Sequence, residues 1–297
     1  MAAGGRSTRR CRSRAFGRRS RGGAPPYSRT SSNQWGASLL TSKLKPTTPR
    51  FVGPQGAASV DTPPVKPLAG NAATSKKVPL LSSVALIGKG GSGKSTMCIS
   101  LAVIARMAGL RVAILDADPQ QSSFVWKCVR GRGDIPVCRC SPEALNDAIE
   151  AARRAGIELL FIDMPPDLRH APGVARHADL VLIPMRPTLF DLQVTRALVP
   201  LLTSVGVRYA VVLNAAPPVR DHAESPMVRQ ARDAPADIGP RLWRRQITNR
   251  VSIPYATVRG AGVIETEPAG PAAHEFRFLW NAVRNTLKLE ERVHEVA

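Results

Sequence analysis

Five short runs of apolar residues recur along the chain after residue 80, separated by longer and more polar stretches. Each run is continuous rather than alternating, which is typical of a strand buried on both faces of a sheet. The runs are Val84–Ile87, Val112–Leu115, Leu159–Ile162, Leu180–Ile183 and Tyr209–Leu213. Stretches of helical length separate them, so the pattern predicts an α/β fold, a doubly wound and mostly parallel sheet flanked by helices.

Four stretches have the composition or spacing of helices that pack on such a sheet: Met97–Ala108, Pro142–Ala155, Leu189–Val205 and Ala272–Val293. Ser141 precedes the second of them and is a favourable N-cap residue. The segment 215–270 is hard to interpret, and frequent Pro, Arg and Asp over Pro217–Ala236 indicate an excursion at the surface.

The first 78 residues have no hydrophobic period and are rich in Arg, Ser, Gly and Pro. Residues 1–80 hold fifteen Lys and Arg but one acidic residue, so most of the net charge of +20 lies there. This composition predicts a disordered basic tail before one folded domain over 79–297. Three interpretations of the tail stay open: an organelle transit peptide, a basic arm for nucleic acid, or a true start codon further downstream.

The five cysteines form an odd number without the spacing of a disulfide framework, so we expect free thiols. Cys138 and Cys140 form a C-x-C pair, but no matching His or second Cys pair lies near them in sequence. No metal site is therefore predicted there. No apolar run approaches the ~20 residues that span a bilayer, and no membrane partner is expected.

One run carries most of the chemical information. Residues 88–96 read G-K-G-G-S-G-K-S-T and directly follow the first apolar run. The pattern G-x-x-x-x-G-K-[ST] between a strand and a helix indicates a loop whose backbone N–H groups bind phosphate, helped by the positive helix N-terminus. Lys94 would reach the β- and γ-phosphates, and Ser95 would ligate Mg²⁺. The predicted nucleotide-binding residues of the loop are Gly90, Gly91, Ser92, Gly93, Lys94, Ser95 and Thr96.

Two further apolar runs end in aspartates. The sequence D-A-D-P-Q over 116–120 follows the second run, and D-M-P-P over 163–166 follows the third. In a parallel sheet these carboxyl ends meet at the edge that also holds the phosphate loop. Carboxylates placed there hold the water shell of Mg²⁺. The predicted metal set is Ser95, Asp116 and Asp163.

With Lys89 directly after its first glycine, the loop resembles the deviant phosphate loop of the ParA/MinD family of ATPases. The motifs at 116–120 and 163–166 stand where that family has its two switch motifs, and the resemblance covers about residues 82–290. It implies that Lys89 reaches across an ATP-sandwich dimer to the partner's phosphates and that Asp118 orients the attacking water. Lys89, Lys94 and Asp118 are then the catalytic residues. Asn214 matches the position that reads adenine in the family.

Within the family, the chain is most similar to the short partition proteins of plasmids and chromosomes. That likeness implies a weakly active Mg-ATP-dependent ATPase of the cytoplasm that binds DNA non-specifically on the nucleoid. It further implies a homodimer formed with ATP and a ParB-like, centromere-binding activator that stimulates hydrolysis. The alternative is a MinD-like, polysaccharide-synthesis or DNA-transfer positioning ATPase that uses a different surface. Against MinD, the C-terminus mixes acids into its last residues instead of forming a basic amphipathic helix.

A group of basic residues with no acid among them follows the surface excursion. Because DNA binding of this kind depends on phosphate contacts, the group predicts a DNA-binding surface. Its members are Arg241, Arg244, Arg245, Arg250 and Arg259. Arg277, Arg284 and Lys288 could extend this surface from the last predicted helix.

Overall fold

The computed structural model describes residues 81–221, 223–233 and 238–289. The predicted tail over 1–78, its boundary and the last residues of the predicted C-terminal helix lie outside this part of the chain. The described strands are β1 (Ser82–Leu86), β2 (Val112–Asp116), β3 (Val137–Arg139), β4 (Leu159–Asp163), β5 (Leu180–Met185), β6 (Tyr209–Ala216) and β7 (Leu242–Thr248). They form one sheet in the order β3-β2-β4-β1-β5-β6-β7, and every neighbouring pair is parallel.

Helices cover both faces of this sheet. The described helices are α1 (Lys94–Met107), α2 (Ser122–Arg130), α3 (Leu145–Arg154), α4 (Ala171–Ala175), α5 (Leu189–Val205), α6 (Pro226–Arg232), α7 (Ser252–Val258), α8 (Val263–Thr266) and α9 (Pro271–Leu287). The four predicted helices correspond to α1, α3, α5 and α9. Ser141 acts as an N-cap, accepting the N–H of Ala144 at 3.4 Å, but it caps a short 3₁₀ turn that precedes α3.

Two hydrophobic clusters lie on opposite faces of the sheet. One joins α1, α2 and α9 to the strands and contains Trp126, Phe161 and Phe276. The other contains Leu160 and Ile162, whose side chains point the opposite way from Phe161, and the buried residues of α3, α4 and α5. Strands covered on both faces need continuous apolar sequence, which explains why the five runs are recognisable. The predicted doubly wound α/β fold is confirmed.

The register of the central strands aligns the predicted motifs. Leu86 of β1 pairs with Asp163 of β4, and Asp116 of β2 pairs with the same residue. The phosphate loop leaves β1 one residue beyond this level. The loop and both aspartate motifs therefore lie at one edge of the sheet, as the sequence predicts.

The hydrophobic pattern does not predict β3 or β7. β3 has three residues, of which Cys138 and Arg139 are exposed. β7 is an edge strand, and its two central arginines, Arg244 and Arg245, are exposed. Neither strand is covered on both faces, so neither leaves a continuous apolar run.

Over the described ranges, no helix combines the length and apolarity that crossing a bilayer requires.

Candidate functional site

The loop between β1 and α1 surrounds a cavity of about 350 Å³. Gly93 adopts φ 95°, a left-handed conformation that glycine accepts readily, and it forms the N-cap of α1. The first backbone N–H groups of α1 therefore face the loop, as in helix termini that bind anions. The cavity brings together most of the predicted site: its lining includes Gly90, Gly91, Gly93, Lys94, Ser95, Thr96 and Asp118.

Lys94 is the buried cation of this cavity. Its side chain folds back across the loop, and Nζ donates to the carbonyl oxygen of Lys89, near the start of the loop, at 3.3 Å. Burial lowers the pKa of Lys94, while the charges of Asp163 and Asp118 act in the raising direction. Burial disfavours the charged form of this ammonium, and one carbonyl oxygen accepts a hydrogen bond from it. A negatively charged ligand in the cavity would therefore stabilise the charge.

Asn214, at the end of β6, holds the loop from the side. Its Nδ2 donates to the carbonyl oxygen of Ser92 at 2.6 Å. A Cβ at position 93 would overlap that amide nitrogen, so a larger residue there would have to displace Asn214 as well as adopt a left-handed φ. Asn214 also lines a second cavity of about 160 Å³ next to the loop.

The two aspartates at the carboxyl end of β2 have different partners: Asp116 is the last residue of the strand, and Asp118 follows it. Asp116 accepts the backbone N–H of Phe124 at 2.8 Å and that of Asp118 at 3.2 Å, so its carboxylate shapes the segment that follows β2. Burial raises the pKa of Asp116, and these backbone hydrogen bonds oppose the shift. Asp118 accepts the N–H of Gln120 at 2.9 Å and faces the larger cavity.

Asp163 is the most deeply buried of the acidic residues at the site. Its Oδ2 accepts a hydrogen bond from Ser123 Oγ at 2.8 Å, while its buried Oδ1 has no hydrogen-bond partner among the described residues. Burial raises the pKa of Asp163 to about 6, against the opposing influence of the nearby hydroxyls of Ser95 and Ser123. An unpartnered carboxylate oxygen beside the loop hydroxyl is a donor set that suits Mg²⁺ and its bound water.

This burial predicts a pH-dependent stability difference. A raised pKa means that the folded state loses stability as pH rises from the unfolded value, near 4, through about 6. Asp163→Asn should therefore stabilise the nucleotide-free, magnesium-free protein at pH 7 by up to about 3 kcal/mol. Urea unfolding from pH 4 to pH 7.5 would show the gain shrinking as the solution becomes acidic. A gain independent of pH, or one shared by Asp147→Asn on the exposed face of α3, would contradict this explanation.

Lys89 does not enter the cavity. Its Nζ donates to Oδ1 of Asp191 at 2.9 Å and lies 5.8 Å from the ring centroid of Phe190. The Lys89 side chain is 33% exposed, whereas that of Asp191 is 1% exposed. The structure thus separates the two lysines of the loop. Lys94 lines the cavity, and Lys89 lies outside it, at the surface, in an ion pair with Asp191 of α5.

Asp191 was not found by sequence reasoning, although a signal exists. Thr188 and Asp191 form the pattern T-x-x-D at the start of α5, and the N–H of Asp191 donates to Oγ1 of Thr188 at 3.3 Å. Such a pattern marks a helix start. Its proximity to Lys89 could not be read from the sequence, because 102 residues separate the two.

The smaller cavity has one basic residue that sequence reasoning placed elsewhere. Arg250 lines it and donates from Nη2 to Oε1 of Glu275 at 3.0 Å. The same carboxylate accepts from the backbone N–H and the hydroxyl of Thr248 at 2.7 and 2.8 Å. The Nε of Arg250 is buried without a hydrogen-bond partner in the described part of the chain. Arg250 therefore lies at the cavity wall, apart from the exposed arginines.

The other four arginines of the predicted DNA surface are exposed. Arg245 stacks over Phe278 of α9 with its guanidinium carbon 3.6 Å from the ring centroid. Arg241 lies 5.2 Å from the ring centroid of Tyr209. Arg244 shares the edge strand with Arg245, while Arg259 lies at the end of α7. Three of the four thus gather at the β7 edge.

The fold and the loop together define a P-loop nucleotide-binding protein. The family model of the CobQ/CobB/MinD/ParA nucleotide-binding domain matches residues 84–266, and the chain belongs to this family. Protein ParA of Rhizobium radiobacter is 34% identical to the chain over 111 residues. That match covers 35% of this chain and 47% of the relative, so it spans about half of the relative's length.

Solved structures of related fold include apo McdA of Cyanothece, with a TM-score of 0.57 and 15% identity over 70% of this chain and 100% of that one. MinD of Pyrococcus horikoshii, solved with Mg-ADP, has a TM-score of 0.53 and 16% identity over 69% and 96%. MinD of Aquifex aeolicus, solved with MinC, has a TM-score of 0.55 and 17% identity over 69% and 96%. At these identities the likeness shows the fold alone.

Proposed function

We propose that the protein is a Mg-ATP-dependent partition ATPase that dimerises around two nucleotides and binds DNA non-specifically. The observation that carries this proposal is the separation of the two loop lysines. Lys94 is buried in the cavity of its own subunit, and Lys89 stands outside it, where a second subunit can approach. Within its own subunit Lys89 contacts Asp191 and Phe190 rather than the phosphate cavity, which supports a role toward a second subunit.

The nucleotide site is assigned as follows. The loop N–H groups and Lys94 bind the phosphates of the subunit's own ATP. Ser95 and Asp163 hold Mg²⁺, with Asp116 supporting the segment beside them. When bound, the ion neutralises phosphate charge. Asn214 and the cavity next to it receive the base, and Arg250, through its buried Nε, belongs to that cavity rather than to the DNA surface.

Hydrolysis in this scheme depends on positioning and charge. Asp118 lines the phosphate cavity and accepts the N–H of Gln120, which supports a role for this residue in orienting the attacking water. Lys89 leaves Asp191 and reaches the partner's phosphates, where it stabilises transition-state charge as an arginine finger does. The activator is a ParB-like protein that promotes this rearrangement in the homodimer.

Exposed apolar side chains beside Lys89 support a dimer at this edge. Leu189 and Phe190, the first residues of α5, are 64% and 66% exposed. Large apolar residues that are exposed together often mark contact surfaces. Because Phe190 lies beside Lys89, these side chains support a partner subunit that binds next to this lysine.

DNA contact is assigned to the exposed arginines at the β7 edge, with Arg259. A dimer would present two copies of these four residues, which can neutralise several phosphates. Binding of a random-sequence duplex in Mg·AMP-PNP should therefore fall by about a thousandfold or more between 50 and 200 mM salt. Filter binding or fluorescence anisotropy would measure this dependence.

A paired substitution tests the assignment. Arg244→Gln with Arg245→Gln should weaken DNA binding and reduce the salt slope by about two or more. Arg153→Gln with Arg154→Gln changes an equivalent exposed pair on α3 and should leave both unchanged. Equal DNA binding with ADP, with Mg·AMP-PNP and without nucleotide would contradict the proposal. Triphosphate-dependent sedimentation with anionic vesicles in place of DNA would favour a MinD-like positioning ATPase.

A further inference from the structure

The carboxylate of Asp191 forms ion pairs with two cationic side chains, Lys89 and Arg186. Its Oδ1 accepts from Nζ of Lys89 at 2.9 Å, and its Oδ2 accepts from Nε of Arg186 at 3.1 Å. The backbone N–H of Arg186 also donates to Oδ2, at 3.1 Å. Burial alone would raise the pKa of Asp191, but the hydrogen bonds from Arg186 and Lys89 outweigh it and the pKa is lowered. Asp191 is thus an ionised and nearly inaccessible group that needs a cationic partner.

Arg186 is placed to take over both oxygens of that carboxylate. Its Nη2 lies 3.4 Å from Oδ1, the oxygen that Lys89 occupies at shorter distance. Together with the Nε hydrogen bond this forms a bidentate arginine–carboxylate pair, whose longer bond can shorten once Lys89 leaves Oδ1. Lysine offers no such fork, so Arg186 and Lys89 are not equivalent partners.

The arginine also lies against the phosphate loop. A Cβ built on Gly91 would stand 3.8 Å from Nη2 of Arg186. The residue directly follows β5, so its backbone is fixed by the sheet at the same edge as the loop. The sheet thus anchors the backbone of Arg186, while its guanidinium, which is partly exposed, lies near the loop.

We propose that Arg186 is a positioning residue that allows Lys89 to leave Asp191, because its bidentate pair with the carboxylate remains and tightens as the lysine departs. The proposal rests on the proposed function, since it gives Lys89 a second position in the dimer. Without Arg186, departure of Lys89 would leave a buried carboxylate without a charged partner, which is strongly unfavourable. Arg186 thus lowers the free energy of dimer formation without touching the nucleotide.

The test compares four proteins: wild type, Arg186→Gln, Asp191→Asn and the double variant. Sedimentation equilibrium in Mg·AMP-PNP gives the dimer dissociation constant of each. Arg186→Gln should raise this constant about tenfold or more, since a charge-assisted hydrogen bond is lost from the released state. Asp191→Asn removes the charge that retains Lys89, so Arg186→Gln should change the constant less than about twofold in that background.

Two further proteins complete the design. Arg186→Lys restores the charge but not the fork, and it should fall between wild type and Arg186→Gln. Arg153→Gln removes an exposed arginine of α3 and should match wild type. Nucleotide affinity measured at a concentration where all proteins are monomeric should be unchanged in Arg186→Gln, which shows that its loop is intact. If that variant does not fold, the constants of Arg186→Lys with and without Asp191→Asn decide the question.

Each other outcome has a definite meaning. If wild type does not dimerise with the triphosphate analogue, the proposed function fails, and this inference fails with it. If wild type dimerises and Arg186→Gln dimerises equally well, the inference alone is overturned. If Arg186→Gln weakens dimers as strongly in the Asp191→Asn background, the arginine acts directly on the nucleotide or the partner, and the exchange at Asp191 is wrong.

Discussion

A Lys94→Ala variant is expected to lose about a hundredfold or more in affinity for Mg·ATP. Lys94 is buried, and the cavity around it offers its ammonium one carbonyl oxygen at 3.3 Å among the hydrogen bonds of the described chain. A bound phosphate would pair with this charge away from bulk water. Removing one partner of a buried charge pair costs on the order of 2–5 kcal/mol. Titration with a fluorescent ATP analogue measures the loss.

The matched control for this variant is Lys288→Ala. Lys288 is exposed just beyond the end of α9. Two residues before it, the carbonyl oxygen of Thr286 accepts a hydrogen bond from Arg208, which directly precedes β6. Lys288 therefore lies near the amino ends of the strands, opposite the loop, and nucleotide affinity should match wild type. An equal loss in both variants would indicate a general effect of charge. No loss in Lys94→Ala would contradict the assignment of the cavity.

A Lys89→Ala variant is expected to bind nucleotide normally and to lose about a thousandfold in dimer-dependent turnover. The side chain of Lys89 contacts Asp191 and Phe190 outside the cavity, so its loss leaves the subunit's own phosphate site intact. A cation supplied by the partner subunit stabilises transition-state charge, and such groups are worth on the order of 10³–10⁵ in rate. Phosphate release at high protein concentration, with DNA present, measures the effect.

Mixing two inactive variants tests whether the lysine acts across the dimer. Asp118→Ala keeps Lys89 but loses the residue that we propose orients the water. In a mixed dimer, the Lys89→Ala subunit keeps its own Asp118 and receives Lys89 from the other subunit. An equal mixture should recover about a quarter of wild-type turnover, since half of randomly formed dimers are mixed and each has one complete site. No recovery, in a mixture shown to form mixed dimers, would mean that Lys89 serves its own subunit.

The fold could be predicted where strands are covered on both faces. β1, β2, β4, β5 and β6 each leave an apolar run because side chains pointing either way are buried. β3 and β7 lie at the two edges of the sheet, where exposed positions interrupt the run. In β7 the interruption consists of arginines, so the sequence indicates a basic surface there but not a strand.

The candidate site could be predicted where its residues are contiguous in sequence. The loop and the two aspartate motifs follow strands directly, and a parallel sheet brings their ends together without further information. Residues that depend on tertiary contact could not be found this way. Ser123 reaches Asp163 from 40 positions away, and Arg250 has its acidic partner in Glu275 of the last helix. Because no acidic residue lies between Arg241 and Arg259 in sequence, Arg250 was expected to have no acidic partner. In the fold it pairs with Glu275 of α9.

The proposed ATPase activity requires that the loop following β1 binds a nucleoside triphosphate. Isothermal titration calorimetry of Mg·ATP into the purified chain measures this directly. We expect one nucleotide per chain, with binding that requires Mg²⁺ and is lost in Lys94→Ala. If wild-type protein that is shown to be folded gives no binding isotherm with Mg·ATP or Mg·ADP, the assignment of this loop as a nucleotide site is contradicted.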